Sequence, residues 1–416
     1  MTVNPTILSL QGKGLKLNTR ADIEPYLRDV DPAIVEEIHF GGNTVGIEAA
    51  EALAEFLEKT QVLKVRLIAP SVLQSLMLII VSLSTQVADF ADIFTGRLIT
   101  EIPQALSAIC DALKNKTSLV EINLSDNAFG GRSVDPMVPF LTTNRSFQIL
   151  KLNNNGLGPA GGAIIADALL QSAKLSKKEG KPSNLRVVIC GRNRLEDGSA
   201  SVWAEAFREH AGLTEIRMPQ NGIRMDGISA LVRGISECKG LQYLDLQDNT
   251  FGELGSETMS GVLGQWPHLH TLNLSDCHLA EEGDVSPVVT VLAGGSNLKL
   301  QTLQLQNNNF DAQSFALLAE GIDSALGALK RLELQWNEIE EEDEGILALS
   351  RALKARRGKL IVDDEEDEEE EEETEETEKE ETKEEVKPAQ PAQAKSLTDQ
   401  ATDALADLLN KVSIRS

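Results

Sequence analysis

The chain has 416 residues, 41% hydrophobic and only 4% aromatic, enough apolar material for one large core or two ordinary ones. Its 65 acidic residues against 39 basic give a formal charge of −26, which argues against a nucleic-acid backbone as partner and favours a basic protein surface. Four widely separated cysteines, Cys110, Cys190, Cys238 and Cys277, offer neither zinc-ligand spacing nor a compact disulfide framework, so they read as reduced intracellular thiols.

The first segment, "MTVNPTILSLQGKGLKLNTR", lacks the basic start, sustained apolar run and cleavage site of a signal peptide, so cytosol or nucleus is expected, with cytosol favoured. Within it "ILSLQGK" is the edge unit of a repeat whose pattern, L-x-x-L-x-L-x-x-N, returns down most of the chain. A looser copy, "VEEIHFGGN", ends at Asn43, and the next, "VADFADI", carries Ile93 in the Asn slot.

Asn43 and Ile93 are 50 residues apart, and excising residues 65–86, "VRLIAPSVLQSLMLIIVSLSTQ", restores a spacing of 28. A membrane span is disfavoured, because the run after Pro70 falls short of ~20 apolar residues and is broken by Ser and Gln. Of the two remaining readings, an inserted helix and a translated unspliced intron, the second is favoured: Val codons begin GT, one Gln codon is CAG, and the segment is a whole number of codons. A mature message that retains codons 65–86 would contradict it.

"ADFADIFTGRLITEIP", Ala88 to Pro103, places "ADFADI" on a strand and "FTGR" on the loop that leaves it, with Gly96 allowing a tight backbone path. Regular repeats follow. They end at Asn127, Asn155, Asn193, Asn221, Asn249, Cys277, Asn308 and Asn337, and positions 193, 221 and 249 are 28 apart. That spacing fits a strand plus a full helix: in "MDGISALVRGISEC", Ile228, Leu231, Val232 and Ile235 form one helical stripe, with Leu244 and Leu246 of the next strand facing it.

The predicted fold is therefore α/β, a ribonuclease-inhibitor-like leucine-rich-repeat solenoid of about eleven repeats over residues 1–357, parallel strands concave and helices convex. The repeated Asn is expected to satisfy backbone groups where the chain leaves each strand, and Cys277 to fill the same structural slot.

Residues 358–395 are read as an acidic disordered tail with a Pro/Ala linker, since 363–385 holds 18 acidic residues and two lysines. Residues 396–416 should form a short amphipathic helix along Leu397, Ala401, Leu405, Leu408 and Val412.

Together "FADIFTGRLITEIP", "LSDNAFG", "LNNNGLGPAGG", "ICGRNRLEDGS", "LDLQDNTFG" and the acidic run resemble the GTPase-activating proteins of the small GTPase Ran, in their fungal form. The resemblance spans residues 1–385 apart from the insert, and "DIFTGR" and "CGRNRLE" fill positions that the repeat skeleton leaves free. It implies stimulation of GTP hydrolysis on Ran, which returns Ran to its GDP form and sustains nucleocytoplasmic transport. The implied location is the cytoplasm, with the nuclear envelope as a second one.

It also implies a mechanism in which the activator holds the GTPase's own glutamine rather than inserting an arginine. The family's essential loop arginine falls on Arg97 and its asparagine on Asn154, while Asn155 fills the structural slot. Further partner-binding candidates on the rim are Asp126, Asn127, Arg192, Arg194 and Asp248. Ile99 stands where the family leads one to expect a basic residue.

Local alternatives are a surface ion pair of Arg192 or Arg194 with Glu196 or Asp197, worth ~0–1 kcal/mol, and pairing of Arg97 with Asp92 or Asp126. The resemblance implies Ran in its GTP form as partner, joined by a Ran-binding protein, with a monomeric activator, no nucleic acid and no membrane. No cofactor belongs to the chain itself, GTP and Mg being the partner's. The competing class is a non-catalytic leucine-rich-repeat binding or inhibitor module. An active site of the chain's own finds little support, as His39, His210, His268, His270 and His278 show no nucleophile partner or metal spacing.

Overall fold

The structure, a computed structural model, describes residues 5–60, 86–281, 283–340 and 342–363. Among them one parallel sheet has twelve short strands, in chain order Ile7–Ser9, Glu37–His39, Val87–Asp89, Glu121–Asn123, Ile149–Lys151, Val187–Ile189, Glu215–Arg217, Tyr243–Asp245, Thr271–Asn273, Thr302–Gln304, Arg331–Glu333 and Lys359–Ile361. Each pairs in register with its sequence neighbours, so Leu244 lies between Ile216 and Leu272.

Three-residue strands suffice because only the central side chain must face inward. Ile38, Ile122, Leu150, Ile216 and Leu244 are buried, while the residues beside them are half-buried on the strand face. Helices cover the other face. In Met225–Ile235 the expected stripe of Ile228, Leu231, Val232 and Ile235 is wholly buried, as are Leu244 and Leu246. Each such side chain contributes about 1.5–3 kcal/mol on leaving water, and Leu231→Ala is expected to cost about 2–5 kcal/mol.

The expected ladder is present and continuous over most of the sheet. Asn221 Nδ2 donates to Cys190 O at 2.9 Å and Met218 O at 3.0 Å, while its Oδ1 accepts Asn193 N at 2.9 Å. Asn155 does the same with Leu124 O, Leu152 O and Asn127 N. One amide thus ties two consecutive repeats through three buried backbone groups. Cys277, in the same slot, donates its thiol to Leu246 O at 3.4 Å and Ser275 O at 3.3 Å. Ile93 interrupts the ladder with a buried hydrocarbon, although its N–H still donates to Asn127 Oδ1 at 2.8 Å.

Two differences from the expectation appear. Lys359–Ile361 adds a twelfth strand, paired with Arg331–Glu333, so the repeats run past the boundary drawn at 357. Gln86, the last residue of the excised segment, takes the regular place ahead of its strand, donating to Glu36 O at 2.7 Å and accepting Val120 N at 2.7 Å. Residues 65–85, and the tail and helix expected over 364–416, lie outside the described residues.

Candidate functional site

Where the chain leaves each strand, the residue just before the ladder position adopts the left-handed conformation. Asp92, Asp126, Asn154, Arg192, Gln220, Asp248, Asp276, Asn307 and Trp336 all have φ between 48° and 61°. From Asp92 to Asn307 their N–H groups are consumed between repeats, as in Asn154 N to Gly191 O at 2.9 Å and Arg192 N to Pro219 O at 2.9 Å. With the backbone fixed in this way, these side chains stand outward in a row, one per repeat. Asn and Asp tolerate the left-handed region best, which fits four Asp and two Asn among the nine.

The row sorts adjacent residues into opposite roles. Asn155 is fully buried in the ladder, whereas Asn154 is exposed and its Nδ2 donates to Asp126 Oδ1 at 3.0 Å. Arg192 and Arg194 flank buried Asn193, both left-handed and both exposed. Asn154, Arg192, Arg194 and Glu196 line a cleft of about 450 Å³ whose floor includes Gly156 and Gly158. Glycine leaves that floor low, because both positions have φ near 63° and no atom faces the missing side chain.

Asn127 has to be reassigned. Expected on the partner-facing rim, it is 1% exposed, and its amide donates to Phe90 O, Leu124 O and Ser125 O while accepting Ile93 N. It is a ladder residue, with nothing left to offer a partner. Neither Arg192 nor Arg194 makes an ion pair among the described residues, and Asp197 Oδ1 instead accepts Arg224 N at 2.7 Å.

Arg97 follows the Val87–Asp89 strand, two strands before the one that Asn154 follows and three before that of Arg192. It pairs with neither Asp92, which takes the Thr95 hydroxyl, nor Asp126. Its guanidinium turns back toward the N-terminal repeats. Nη2 donates to Asn18 Oδ1 at 2.7 Å, Thr44 O at 3.2 Å and Leu17 O at 3.5 Å. Gly96, at φ 79°, makes the turn that allows this, and Leu98 and Ile99 are left exposed beyond it. Asn18 and Glu196 were not legible as site residues in the repeat pattern, because neither occupies a slot that the pattern defines.

Asp248 lies two repeats beyond Arg192. Partial burial and then the charge of Asp276 hold its carboxyl above the usual range, against a hydrogen bond from Gln220. This end of the rim is therefore acidic, with Asp276 fixed by Asn307 Nδ2 at 2.7 Å.

A Ser–His pair elsewhere does not make a hydrolytic site. His210 is 3% exposed, its Nε2 donates to Leu169 O at 2.8 Å, and Ser183 donates to Nδ1 at 2.6 Å. Burial pushes that imidazole down to about 4, so it stays neutral and structural. Among the described residues no group of three or more His, Cys, Asp or Glu could hold a metal, and no helix is long and apolar enough to cross a membrane.

The profile described as Leucine Rich repeat matches residues 143–166 and 267–283. The Ran GTPase-activating protein 1 of Saccharomyces cerevisiae is 34% identical over 347 residues, covering 82% of this chain and 80% of the yeast protein. The chain belongs to the Ran GTPase-activating protein family. Ran GTPase-activating protein 1 of Xenopus laevis is 42% identical over 220 residues, 52% of this chain and 34% of that protein. The mouse ribonuclease inhibitor, representing the competing class, is 24% identical over 371 residues, 82% of this chain and 80% of the inhibitor. Among solved structures, an internalin of Listeria monocytogenes is similar at a TM-score of 0.44 and 14% identity, covering 86% of this chain and 87% of its own.

Proposed function

We propose that the chain stimulates GTP hydrolysis by Ran, docking on the GTP form as a monomer through the rim between Arg97 and Asp248. The observation that carries this reading is the split between two adjacent asparagines: Asn155 is consumed by the fold, while Asn154 is exposed and oriented by Asp126. An exposed amide held at one donor retains a free carbonyl oxygen, which is the acceptor that a glutamine side chain on the partner needs. Asn154 so placed restrains the GTPase's catalytic glutamine, and the glutamine orients the attacking water.

Arg97 does not serve as an inserted finger. Arg97 is committed to the N-terminal repeats, so it acts by shaping its loop, while Arg192, Arg194 and Asp248 supply charged docking contacts. The acceleration available to such an activator is ~10⁵-fold, about 7 kcal/mol of barrier. The hydrolytic chemistry, with GTP and Mg, stays in the partner. The chain itself is an activator rather than an enzyme and acts in the cytoplasm, with the nuclear envelope as a second location, and a Ran-binding protein can share the complex.

The test is single-turnover hydrolysis of GTP preloaded on Ran. The proposal requires acceleration by the folded chain, and an unchanged rate at saturating chain would refute it.

A further inference from the structure

We propose that Asn18, in the N-terminal edge repeat, is a positioning residue for the activation reaction, acting through Arg97 on the loop that follows the Val87–Asp89 strand. This rests on the proposed function for its kinetic consequence, but not for its structural one. The guanidinium of Arg97 is half-buried, and its Nε has no hydrogen-bond partner among the described residues. A buried unpaired N–H is unfavourable, so the pose depends on what the rest of the group gains. Those gains come from two segments distant in sequence, the Leu17 carbonyl and Asn18 amide oxygen on one and the Thr44 carbonyl on the other. Asn18 provides the shortest contact, 2.7 Å, and the only one made by a side chain.

Asn18 is itself held firmly. Its N–H donates to Asp22 Oδ2 at 2.9 Å, and a Cβ on Gly46 would come within 2.6 Å of the Asn18 carbonyl oxygen and 3.2 Å of Arg97 Nη1. The fold also builds a separate device for this seat. Lys16–Leu17 and Thr44–Val45 form a two-stranded parallel sheet apart from the main one, and Val45 N then donates to Ile93 O at 2.8 Å. This small sheet brings Asn18 against the loop at the point where Ile93 interrupts the ladder. The N-terminal repeats are thereby part of the activating apparatus as well as a cover for the core.

Two variants separate positioning from bulk stability. Asn18→Ala removes the side-chain acceptor from an exposed residue, and Asn18→Asp restores an acceptor with a charge. At saturating chain, Asn18→Ala is expected to lower the maximal rate of GTP hydrolysis on Ran about 10-fold, in line with loss of one charge-assisted hydrogen bond. The half-saturating concentration should shift less than about twofold, Asn18→Asp should recover most of the rate, and Asn18→Ala should add nothing to Arg97→Ala.

In the isolated chain, amide exchange at residues 96–99 should quicken in Asn18→Ala and return in Asn18→Asp. Unchanged exchange in Asn18→Ala, or a rate loss fully additive with Arg97→Ala, would overturn the proposal. If the wild-type chain fails to accelerate hydrolysis while Asn18→Ala still loosens the loop, the functional reading fails and the seat stands.

Discussion

Asn154 Nδ2 lies 3.0 Å from Asp126 Oδ1, joining the left-handed rim positions of two consecutive repeats. This contact fixes one end of the Asn154 amide and leaves its carbonyl oxygen for a partner. Removing the Asp126 side chain is therefore expected to act on Asn154 without touching the ladder beneath it. Asp126→Ala should lower activation of Ran about 5- to 10-fold, the usual scale for one hydrogen bond, with only the small drop in thermal midpoint, by circular dichroism, that Ala incurs at φ 61°. A shift of that midpoint by several degrees would place Asp126 in the fold instead.

Asn154 and Asn155 should give opposite phenotypes. Asn155→Ala strands Asn127 N, Leu124 O and Leu152 O away from water, so a loss of about 3 kcal/mol or more is expected. Urea denaturation measures it. Asn154→Ala should lose only about 1 kcal/mol, the strain of Ala at φ 52°, because its side chain makes only the exposed contact to Asp126 among the described residues.

The contrast shows what periodicity makes legible. A residue that recurs every repeat announces its slot, and reading Asn155 as structural followed from the register alone. The same register puts Asn127 in the ladder, although it is next to the rim residue Asp126. The geometry separates the two, since alternate residues around the ladder face opposite ways. The last strand is not legible in the repeat pattern, because "KLIV" carries neither a following Leu nor an Asn. The seat of Arg97 could not be read either. It depends on a pair of two-residue strands that brings Asn18 against a loop 79 residues later.

Arg97→Ala should reduce activation at least ~100-fold of the ~10⁵-fold available. Secondary structure by circular dichroism should remain that of the wild type, since the guanidinium joins loops and not the buried stripe of any helix. Unfolding of this variant would assign Arg97 to the scaffold alone.

His210 predicts an acid-sensitive fold. Its folded value is depressed to about 4 by burial, below the ordinary 6.5, so the unfolded chain takes up the proton first. Stability should be constant above about pH 7, fall as the pH drops from 6.5 toward 4, and level off below that. Between pH 7 and pH 5 the loss from this group is about 2 kcal/mol. His210→Phe should flatten that part of the urea-midpoint profile, and an equal slope in both proteins would contradict the assignment.

The four thiols are all buried, and burial pushes Cys190 and Cys238 up to about 12, with Cys110 and Cys277 also raised. Little thiolate exists at neutral pH, so a thiol-specific reagent should label none of them in the native chain within minutes and all four in denaturant. Rapid native labelling of Cys277 would show that its ladder slot opens.

On the proposed mechanism an exposed amide, held on a rim of ladder-fixed repeats, activates the partner's own hydrolysis. The most direct measurement is single-turnover GTP hydrolysis on Ran with the wild-type chain and Asn154→Ala side by side, both at saturation and both folded. Strong acceleration is expected from the wild type, and at least ~100-fold less from Asn154→Ala. Equal acceleration by the two proteins would contradict it.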